Sequence, residues 1–324
     1  MCTAITFKTA DNYFGRNLDL EYSYNEKIIV TPKNYDFTFK YPLPLKNNYS
    51  IIGIGIIENN YPLYYDAINE KGLCVVGLNF PKSCKYNNAN NNKQNIASYE
   101  LIPWVLKNFE SVSELIPTLK KLNITNDCFN DKYSATPLHW LIADKDSAIT
   151  VEQTKNGLNV FKNVIGVLTN EPDFEAQLDN FTKYANLTPN EPKNDFIDEL
   201  ELLPSSRGLG AFGLPGDVSS SSRFVRATFN KLNSICNNDE YDSVNQFFNI
   251  LGSVKQLSGC VRLPENKLEK TVYTSCYNTK NCTVYYTTYN NSAITKLELK
   301  NESLIGTDLI YYDMLTKSDF IKQN

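Results

Sequence analysis

The sequence predicts an α+β protein, a four-layer αββα sandwich in which two mainly antiparallel sheets pack together and are flanked by helices. Apolar and polar residues alternate with a period of two over much of the 324-residue chain, as in half-buried strands. Strand candidates joined by short turns occupy both ends of the chain, and paired helical segments lie between them. Because neither an internal repeat nor a composition break divides the chain, we expect residues 1–324 to form one domain.

The first half opens with a hairpin. Residues Cys2 to Thr9 alternate as a strand, Asp11 and Asn12 form the turn, and the chain returns from Tyr13 to Asp19. Two later helices are predicted over 98–109 and 111–122, and Ser111 with Glu114 forms a capping box for the second. Between the hairpin and these helices, strands are predicted at 27–31, 50–57, 61–66 and 74–80.

The second half returns to strands, interrupted by a loop-rich arm over about 187–222 with four prolines and four glycines. A helix over 223–232, capped by Ser221 or Ser222, and another over 243–257 follow the arm. The predicted strands of this half are 137–143, 148–153, 158–161, 164–170, 271–277, 283–289, 293–299 and 309–312.

Composition excludes several classes of function. The chain has 32 basic and 36 acidic side chains, a net charge of −4, and no block of Lys or Arg. A nucleic-acid partner is not expected, because binding phosphates requires a basic face. No apolar run approaches the roughly 20 residues that span a bilayer, and the N-terminus lacks the pattern of an export signal. We therefore expect a cytoplasmic protein that does not bind membranes.

Histidine and cysteine counts narrow the chemistry further. The only histidine is His139, so a Cys-His or Ser-His-Asp site would have to use it, and a metal site of several imidazoles is impossible. The chain has eight cysteines without a C-x-x-C pair, and in a chain of this length without an export signal we expect reduced thiols.

Cys2 is the candidate nucleophile. A small second residue generally permits removal of Met1, after which Cys2 would carry both a thiol and a free α-amine, a pairing that activates a nucleophile without histidine. An α-amine of pKa about 7.7–8 is partly neutral near pH 7 and can accept the proton of a thiol of pKa about 8.5. The alternative is that Cys2 is an incidental residue of a buried strand.

Five other residues could complete such a site. Arg16 and Asp19 lie on the return strand of the hairpin, where they could face the first strand, stabilise a thiolate and hold the amine. Asn79 and Asn170 each end an apolar strand shortly before a proline and could supply oxyanion donors, and Arg223 begins a helix after the arm. Each feature also has an ordinary explanation: a surface ion pair, turn residues and a helix start.

Several motifs occur together and in order: Met1–Thr3, Gly15–Asp19 with Glu21–Ser23, Asn69–Leu73, Leu78–Pro81, His139–Trp140, Val151–Glu152, Gly166–Asn170, and Gly213–Asp217 with Ser222–Phe224. Each motif is weak alone, but as a set they are specific and extend over nearly the whole chain. In this set the chain resembles the choloylglycine hydrolase family of N-terminal-nucleophile hydrolases, which contains conjugated bile salt hydrolases and penicillin V acylases.

The resemblance implies the αββα fold of N-terminal-nucleophile hydrolases and hydrolysis of a C–N amide bond without metal or cofactor. It also implies a homotetramer in which the arm crosses between subunits. In the roles that the resemblance implies, Cys2 is the nucleophile with its own amine as base, and Asp19 and Arg16 orient and polarise it. Asn79, through its backbone N–H, and Asn170, through its side-chain amide, form the implied oxyanion hole. Arg223 supports the thiolate, and His139 is structural.

The substrate implied by the resemblance is a conjugated bile salt, because Asn79 and Glu21–Ser23 resemble the bile salt hydrolase branch, whereas penicillin V acylases tend to have tyrosine at the first position. The implied pocket residues are Leu18, Tyr65, Tyr133 and Leu138. Both tyrosines stand where smaller aliphatic side chains are common, which would make the pocket narrower and more polar.

Three hypotheses remain open at this point. The first is a bile salt hydrolase that releases glycine or taurine. The second is a penicillin V acylase or acyl-homoserine-lactone acylase with the same mechanism, and the third is a catalytically silent homologue that only binds ligands.

Overall fold

The computed structural model describes residues 1–302, 304–318 and 320–324. Its helices are α1 Leu101–Asn108, α2 Val112–Leu119, α3 Phe174–Phe181, α4 Ser220–Asn233 and α5 Glu240–Gly252. Its strands are β1 Cys2–Lys8, β2 Asn12–Leu20, β3 Lys27–Thr31, β4 Ile51–Glu58, β5 Tyr61–Asn69, β6 Cys74–Asn79, β7 Gln94–Ala97, β8 Leu122–Thr125, β9 Leu138–Ala143, β10 Ala148–Thr154, β11 Gly157–Lys162, β12 Val167–Leu168, β13 Val261–Arg262, β14 Leu268–Asn278, β15 Thr283–Thr288, β16 Asn291–Glu298 and β17 Ile310–Asp313. Short 3₁₀ turns occur at Ser98–Glu100, Thr182–Tyr184, Leu209–Ala211, Pro264–Asn266 and Leu299–Asn301.

Two antiparallel sheets form the centre of the molecule. The first has the order β12-β1-β2-β14-β15-β16, with β13 paired to β14. The second has the order β11-β10-β9-β6-β5-β4-β3-β17, and β7 and β8 form a separate parallel pair. The opening hairpin is the β1–β2 pair, in which Cys2 lies opposite Leu18. The prediction of two mainly antiparallel sheets is confirmed.

Helices cover the outer face of each sheet, because successive strand residues point to opposite faces and both faces are apolar. On β6, Val76 packs toward the first sheet, whereas Val75 packs with Leu101 and Trp104 of α1. On the other side, α4 contacts β1 and β12 of the first sheet, and its Phe224 lies in one buried cluster with Ile5 of β1. Full burial of each such side chain stabilises the fold by about 1.5–3 kcal/mol. The four-layer αββα arrangement is therefore the observed one.

The strand predicted over 164–170 is mostly wrong, because only Val167 and Leu168 pair with β1. Before them, Gly166 donates its N–H to Asn163 in a tight turn and has a φ of +63°. After them, the backbone N–H of Asn170 donates to the Ser220 hydroxyl at 2.8 Å instead of to a strand. This departure from the ladder lets the Asn170 side chain enter the candidate site.

Several predicted helix boundaries also need correction, and one helix is absent from the prediction. Ser111 caps α2 as predicted, but the helix ends at Leu119 because residues 122–125 pair with β7. The cap of α4 is Ser219, whose hydroxyl accepts from Ser222 N–H at 3.4 Å, so the helix begins at Ser220 and includes the end of the predicted arm. Helix α3, capped by Asp173, was not predicted. Within the described residues, no helix is long and apolar enough to cross a membrane.

Candidate active site

Cys2 lies at the start of β1 and its sulfur contacts a buried guanidinium. Ala4 pairs with Arg16 across the hairpin, so the Arg16 side chain reaches along the sheet and its Nη2 donates to Cys2 Sγ. Its Nη1 donates to the carbonyl of Gly77 on β6 at 2.6 Å. Both Cys2 and Arg16 are buried. Arg16 therefore holds the sulfur at the interface between the two sheets.

Asp19 lies on the other face of the hairpin from Arg16, because a spacing of three along a strand reverses the side-chain direction. Its Oδ1 accepts from the Thr271 hydroxyl at 2.6 Å. In the described part of the chain, its buried Oδ2 has no hydrogen-bond partner. The side chains of Arg16 and Asp19 therefore lie on opposite faces of β2, and not on one face as the sequence suggested.

Met1 is attached to Cys2 in this structure. Its amino group donates to the Asp19 carbonyl at 2.8 Å and to the Glu269 carboxylate. Cys2 therefore has a peptide nitrogen, which donates to Asn170 Oδ1 at 2.7 Å. The structure thus represents the chain before any removal of the methionine.

Asn170 and Arg223 complete the surroundings of Cys2. Nη2 of Arg223 donates to Asn170 Oδ1 at 2.9 Å, and its Nη1 donates to the Cys2 carbonyl and, at 2.6 Å, to the Thr3 hydroxyl. Nδ2 of Asn170 donates to the backbone carbonyl of Asn79 at 2.8 Å. The amide of Asn170 therefore links the end of β6 to the nitrogen of the candidate nucleophile.

Buried charges surround the sulfur. Burial lowers the pKa of the Arg16 guanidinium, but Cys2, Tyr273, Asp66 and Asp19 outweigh that effect, so its pKa lies above the ordinary value. Burial raises the pKa of the Asp19 carboxyl, although the guanidinium on α4 opposes the rise. Arg16 therefore places a permanent positive charge next to the Cys2 sulfur.

A cavity of about 270 Å³ opens over Cys2 and Arg16. Its wall includes all four residues that the resemblance assigned to the pocket, namely Leu18, Tyr65, Tyr133 and Leu138. It also includes residues that sequence reasoning missed, among them Leu20, Tyr24, Ile56, Leu63, Tyr99 and Phe129. These come from separate segments with no shared motif, so no sequence signal joined them. Burial raises the pKa of Tyr65, which keeps this phenol neutral beside the cavity.

His139 lies beside the site, and both of its ring nitrogens make hydrogen bonds. Its Nε2 contacts the carbonyl oxygen of Thr169 at 2.8 Å, and since a carbonyl only accepts, this nitrogen donates. Its Nδ1 contacts the Glu152 carboxylate at 2.9 Å, and the ring stacks on Phe80 with centroids 4.2 Å apart. The ring is fully buried and is not part of the cavity wall.

Replacing His139 with glutamine is expected to leave the shape of the pH–rate profile of kcat/KM unchanged, because neither ring nitrogen is free to accept the thiol proton. The free energy of unfolding should fall by about 1–3 kcal/mol, since the buried Glu152 loses a partner. Parallel measurement of pH profiles and thermal unfolding checks both statements. Loss of one limb of the profile would instead indicate a Cys-His mechanism.

The described residues contain no group of three or more His, Cys, Asp or Glu side chains that could hold a metal ion. What they contain is a buried thiol, two guanidiniums, an amide and a carboxylate around the end of one strand. These groups can activate a sulfur and polarise a carbonyl through charges and N–H donors of the chain itself.

Comparison with known proteins agrees with this architecture. The family described as linear amide C–N hydrolases, choloylglycine hydrolase family, matches residues 2–312. A bile salt hydrolase/transferase of Lactiplantibacillus plantarum is 46% identical over 324 residues, covering 100% of both chains. The crystal structure of the R18L variant of conjugated bile acid hydrolase from Clostridium perfringens superimposes with a TM-score of 0.91 at 36% identity, again over 100% of both chains. Penicillin V acylase of Agrobacterium tumefaciens shares the fold, with a TM-score of 0.75 at 17% identity over 96% of this chain and 91% of that one.

The two-sheet sandwich with a cysteine at the start of its first strand defines the protein as an N-terminal-nucleophile hydrolase by fold. The full-length matches then place it more narrowly. The chain belongs to the choloylglycine hydrolase family, and it is an amidohydrolase that acts on linear C–N bonds.

Proposed function

We propose that the protein hydrolyses the amide bond of glycine- or taurine-conjugated bile salts, with Cys2 as the nucleophile. The observation that carries this proposal is the Cys2 sulfur, held by Arg16 at the floor of a cavity with mainly aliphatic and aromatic walls. A steroid needs a wide apolar surface with few polar anchors, and its amide must reach the sulfur. The names of the two most similar proteins reported above agree with this substrate class.

The proposed base is the α-amine of Cys2, which removal of Met1 would create. Asp19 supports this step, because its unpartnered Oδ2 is a buried acceptor close to the chain start and could hold the amine. Asn170 Oδ1 already accepts from the nitrogen of Cys2 at 2.7 Å. The amine would take the thiol proton and later pass it to the leaving amine of the substrate.

The proposed oxyanion hole combines the Asn79 N–H with the Asn170 amide. Phe80 N–H donates to the Pro137 carbonyl at 2.8 Å. In an antiparallel ladder, bonded and non-bonded residue pairs alternate, so the next pair, Asn79 with Leu138, is non-bonded and the Asn79 N–H points away from β9. On that other side, pairing of β6 with β5 reaches only Val76, so this N–H can face the cavity.

The proposed function is tested by measuring kcat/KM for taurocholate, glycocholate and penicillin V side by side. We expect the two bile salts to exceed penicillin V, because the cavity wall is mainly apolar and offers phenols that can bind steroid hydroxyls. Intact mass of the same sample reports whether Met1 is absent. A protein that lacks Met1 and turns over neither bile salt would refute the proposal.

A penicillin V acylase activity is the second candidate. The cavity volume of about 270 Å³ lies below the roughly 300–1,000 Å³ of typical ligand sites, and Tyr65 and Tyr133 both narrow it. The phenoxyacetyl group of penicillin V is smaller than a steroid and needs less space. A kcat/KM for penicillin V above that for both bile salts would favour this candidate, and Tyr65→Leu should then shift the ratio back toward bile salts.

We also propose a single catalytic domain that assembles as a homotetramer through the arm over about 187–222. Before α4 begins, this segment exposes large apolar side chains: Phe196 is 91% exposed, Leu203 74% and Phe212 81%. Large apolar side chains that are exposed within one segment are typical of interaction surfaces. A monomeric mass in solution by light scattering would contradict the assembly.

The cytoplasm is the proposed location, because all eight cysteines are free thiols. Unpaired thiols are typical of reducing compartments. Recovery of the activity from the extracellular fraction of intact cells would contradict this location.

A further inference from the structure

We propose that Glu171 and His139 are positioning residues that hold the segments carrying Asn79 and Asn170 at a constant separation. This inference rests on the proposed function, because it concerns the oxyanion hole formed by these two asparagines. Neither Glu171 nor His139 lines the cavity. Each acts instead through the residues next to the asparagines.

The two asparagines belong to different sheets. Asn79 ends β6 in the second sheet, and Asn170 follows β12 at the edge of the first sheet. No strand ladder joins these two elements, so their separation depends on side-chain contacts across the sheet interface. The direct link is the bond from Asn170 Nδ2 to the Asn79 carbonyl, made by the same amide that must also face the oxyanion.

The first clamp is the carboxylate of Glu171, the residue after Asn170. Its Oε1 accepts from the backbone N–H groups of Lys82 and Ser83 at 2.7 and 3.0 Å. Its Oε2 accepts from the Ser83 hydroxyl at 2.7 Å. One carboxylate therefore captures the turn that follows Asn79 through three hydrogen bonds.

The second clamp is His139, which contacts the residues next to both asparagines. Its ring stacks on Phe80, the residue after Asn79, with an interplanar angle of 8°. Its Nε2 donates to the carbonyl of Thr169, the residue before Asn170. Glu152 orients this ring through Nδ1, and its carboxylate also accepts from the Phe174 N–H at 3.2 Å. The ring thus joins both segments at once.

The positions of the two oxyanion donors have a large effect on the rate of the reaction. Oxyanion donors act only where the developing charge will lie, and removal of one costs about 10²–10³ in kcat. A misplacement of about 1 Å can cost about a hundredfold. Loosening one clamp should therefore lower kcat by a part of that factor, while the apolar cavity that binds the substrate keeps its shape.

The test compares Glu171→Ala, Glu171→Gln and the control Glu114→Ala in protein that lacks Met1. Gln keeps an oxygen for both backbone N–H groups, whereas Ala removes all three bonds. Glu114 is a matched control because its carboxylate also accepts a backbone N–H, that of Glu110, at 3.0 Å. It lies on α2, outside the cavity wall. The measured quantities are kcat, KM, thermal unfolding and the rate of Cys2 alkylation by iodoacetamide.

For Glu171→Ala we expect kcat to fall about tenfold to a hundredfold with KM within about twofold, and alkylation at the wild-type rate. Glu171→Gln should recover most of the loss, and Glu114→Ala should match the wild type. An unchanged kcat, a loss confined to KM, no recovery with Gln, or an equal fall in alkylation would each overturn the inference. If Glu171→Ala does not fold, Ser83→Ala tests the inference instead. This variant removes only the hydrogen bond to Glu171 Oε2, and its kcat should fall by a smaller factor.

The proposed function and the clamp fail in different ways. A wild type that hydrolyses neither bile salt refutes the proposed function. A wild type that turns over a bile salt, together with a folded Glu171→Ala of equal kcat, refutes only the clamp formed by Glu171.

Discussion

Cys2→Ser is expected to lower kcat by at least about 10³-fold, while the thermal unfolding temperature stays close to that of the wild type. A serine hydroxyl is far less acidic than a thiol, so the α-amine cannot generate a useful alkoxide near neutral pH. Arg16, which donates to the Cys2 sulfur, would face a hydroxyl oxygen instead. The measurement is kcat with the best substrate of the panel, alongside thermal unfolding.

The matched control for this variant is Cys260→Ser, which changes an exposed thiol outside the cavity wall and should retain full activity. Serine is also a small second residue, so Met1 should be removed from both variants, and intact mass verifies it. Near-normal turnover of Cys2→Ser would exclude this residue as the nucleophile. N-terminal sequencing of active enzyme that still begins with Met1 would exclude the α-amine as the base.

Asn170→Ala is the second variant with a large expected effect, a fall in kcat of about 10²–10³. The substitution removes the proposed oxyanion donor. It also removes the acceptor shared by the Cys2 nitrogen and Arg223 Nη2. KM should change little, because Asn170 is absent from the cavity wall formed by apolar and phenol side chains. Steady-state kinetics that separate kcat from KM check this expectation.

Two companion variants show which function of the amide matters. Asn170→Asp keeps the acceptor oxygen but places a carboxylate where the donor stood, so its kcat should fall at least as far. Asn79→Ala keeps the backbone N–H and should change kcat by only about a factor of two. A loss confined to KM in Asn170→Ala, or a large fall in kcat for Asn79→Ala, would contradict the proposed oxyanion hole.

Local pattern was sufficient for the elements whose partners are close in sequence. The β1–β2 hairpin follows from alternation and a turn at Asp11, and its register brings Cys2 next to the return strand. The failures occurred where a distant segment competes for the backbone. The strand predicted over 164–170 is only Val167–Leu168 in the structure, because the Asn170 N–H bonds to Ser220, some fifty positions away.

The candidate site was likewise predictable from the sequence only in part. Motif order alone brought Cys2, Asn79, Asn170 and Arg223 into one set, and the structure places them in contact through one amide. The wall of the cavity was predicted only in part, because side chains such as Tyr24 and Phe129 come from loops that carry no motif.

The sequence by itself determined the fold class and the opening hairpin and predicted a candidate catalytic set, because alternation, turns and motif order are local or linear properties of the chain. Only the tertiary structure decided that Arg16 donates to the carbonyl of Gly77 in the second sheet, that His139 donates to the carbonyl of Thr169, and that Glu171 accepts from the turn after Asn79. The physical reason is that these contacts cross between two sheets. Their distances depend on how the sheets pack, which no spacing along the chain encodes.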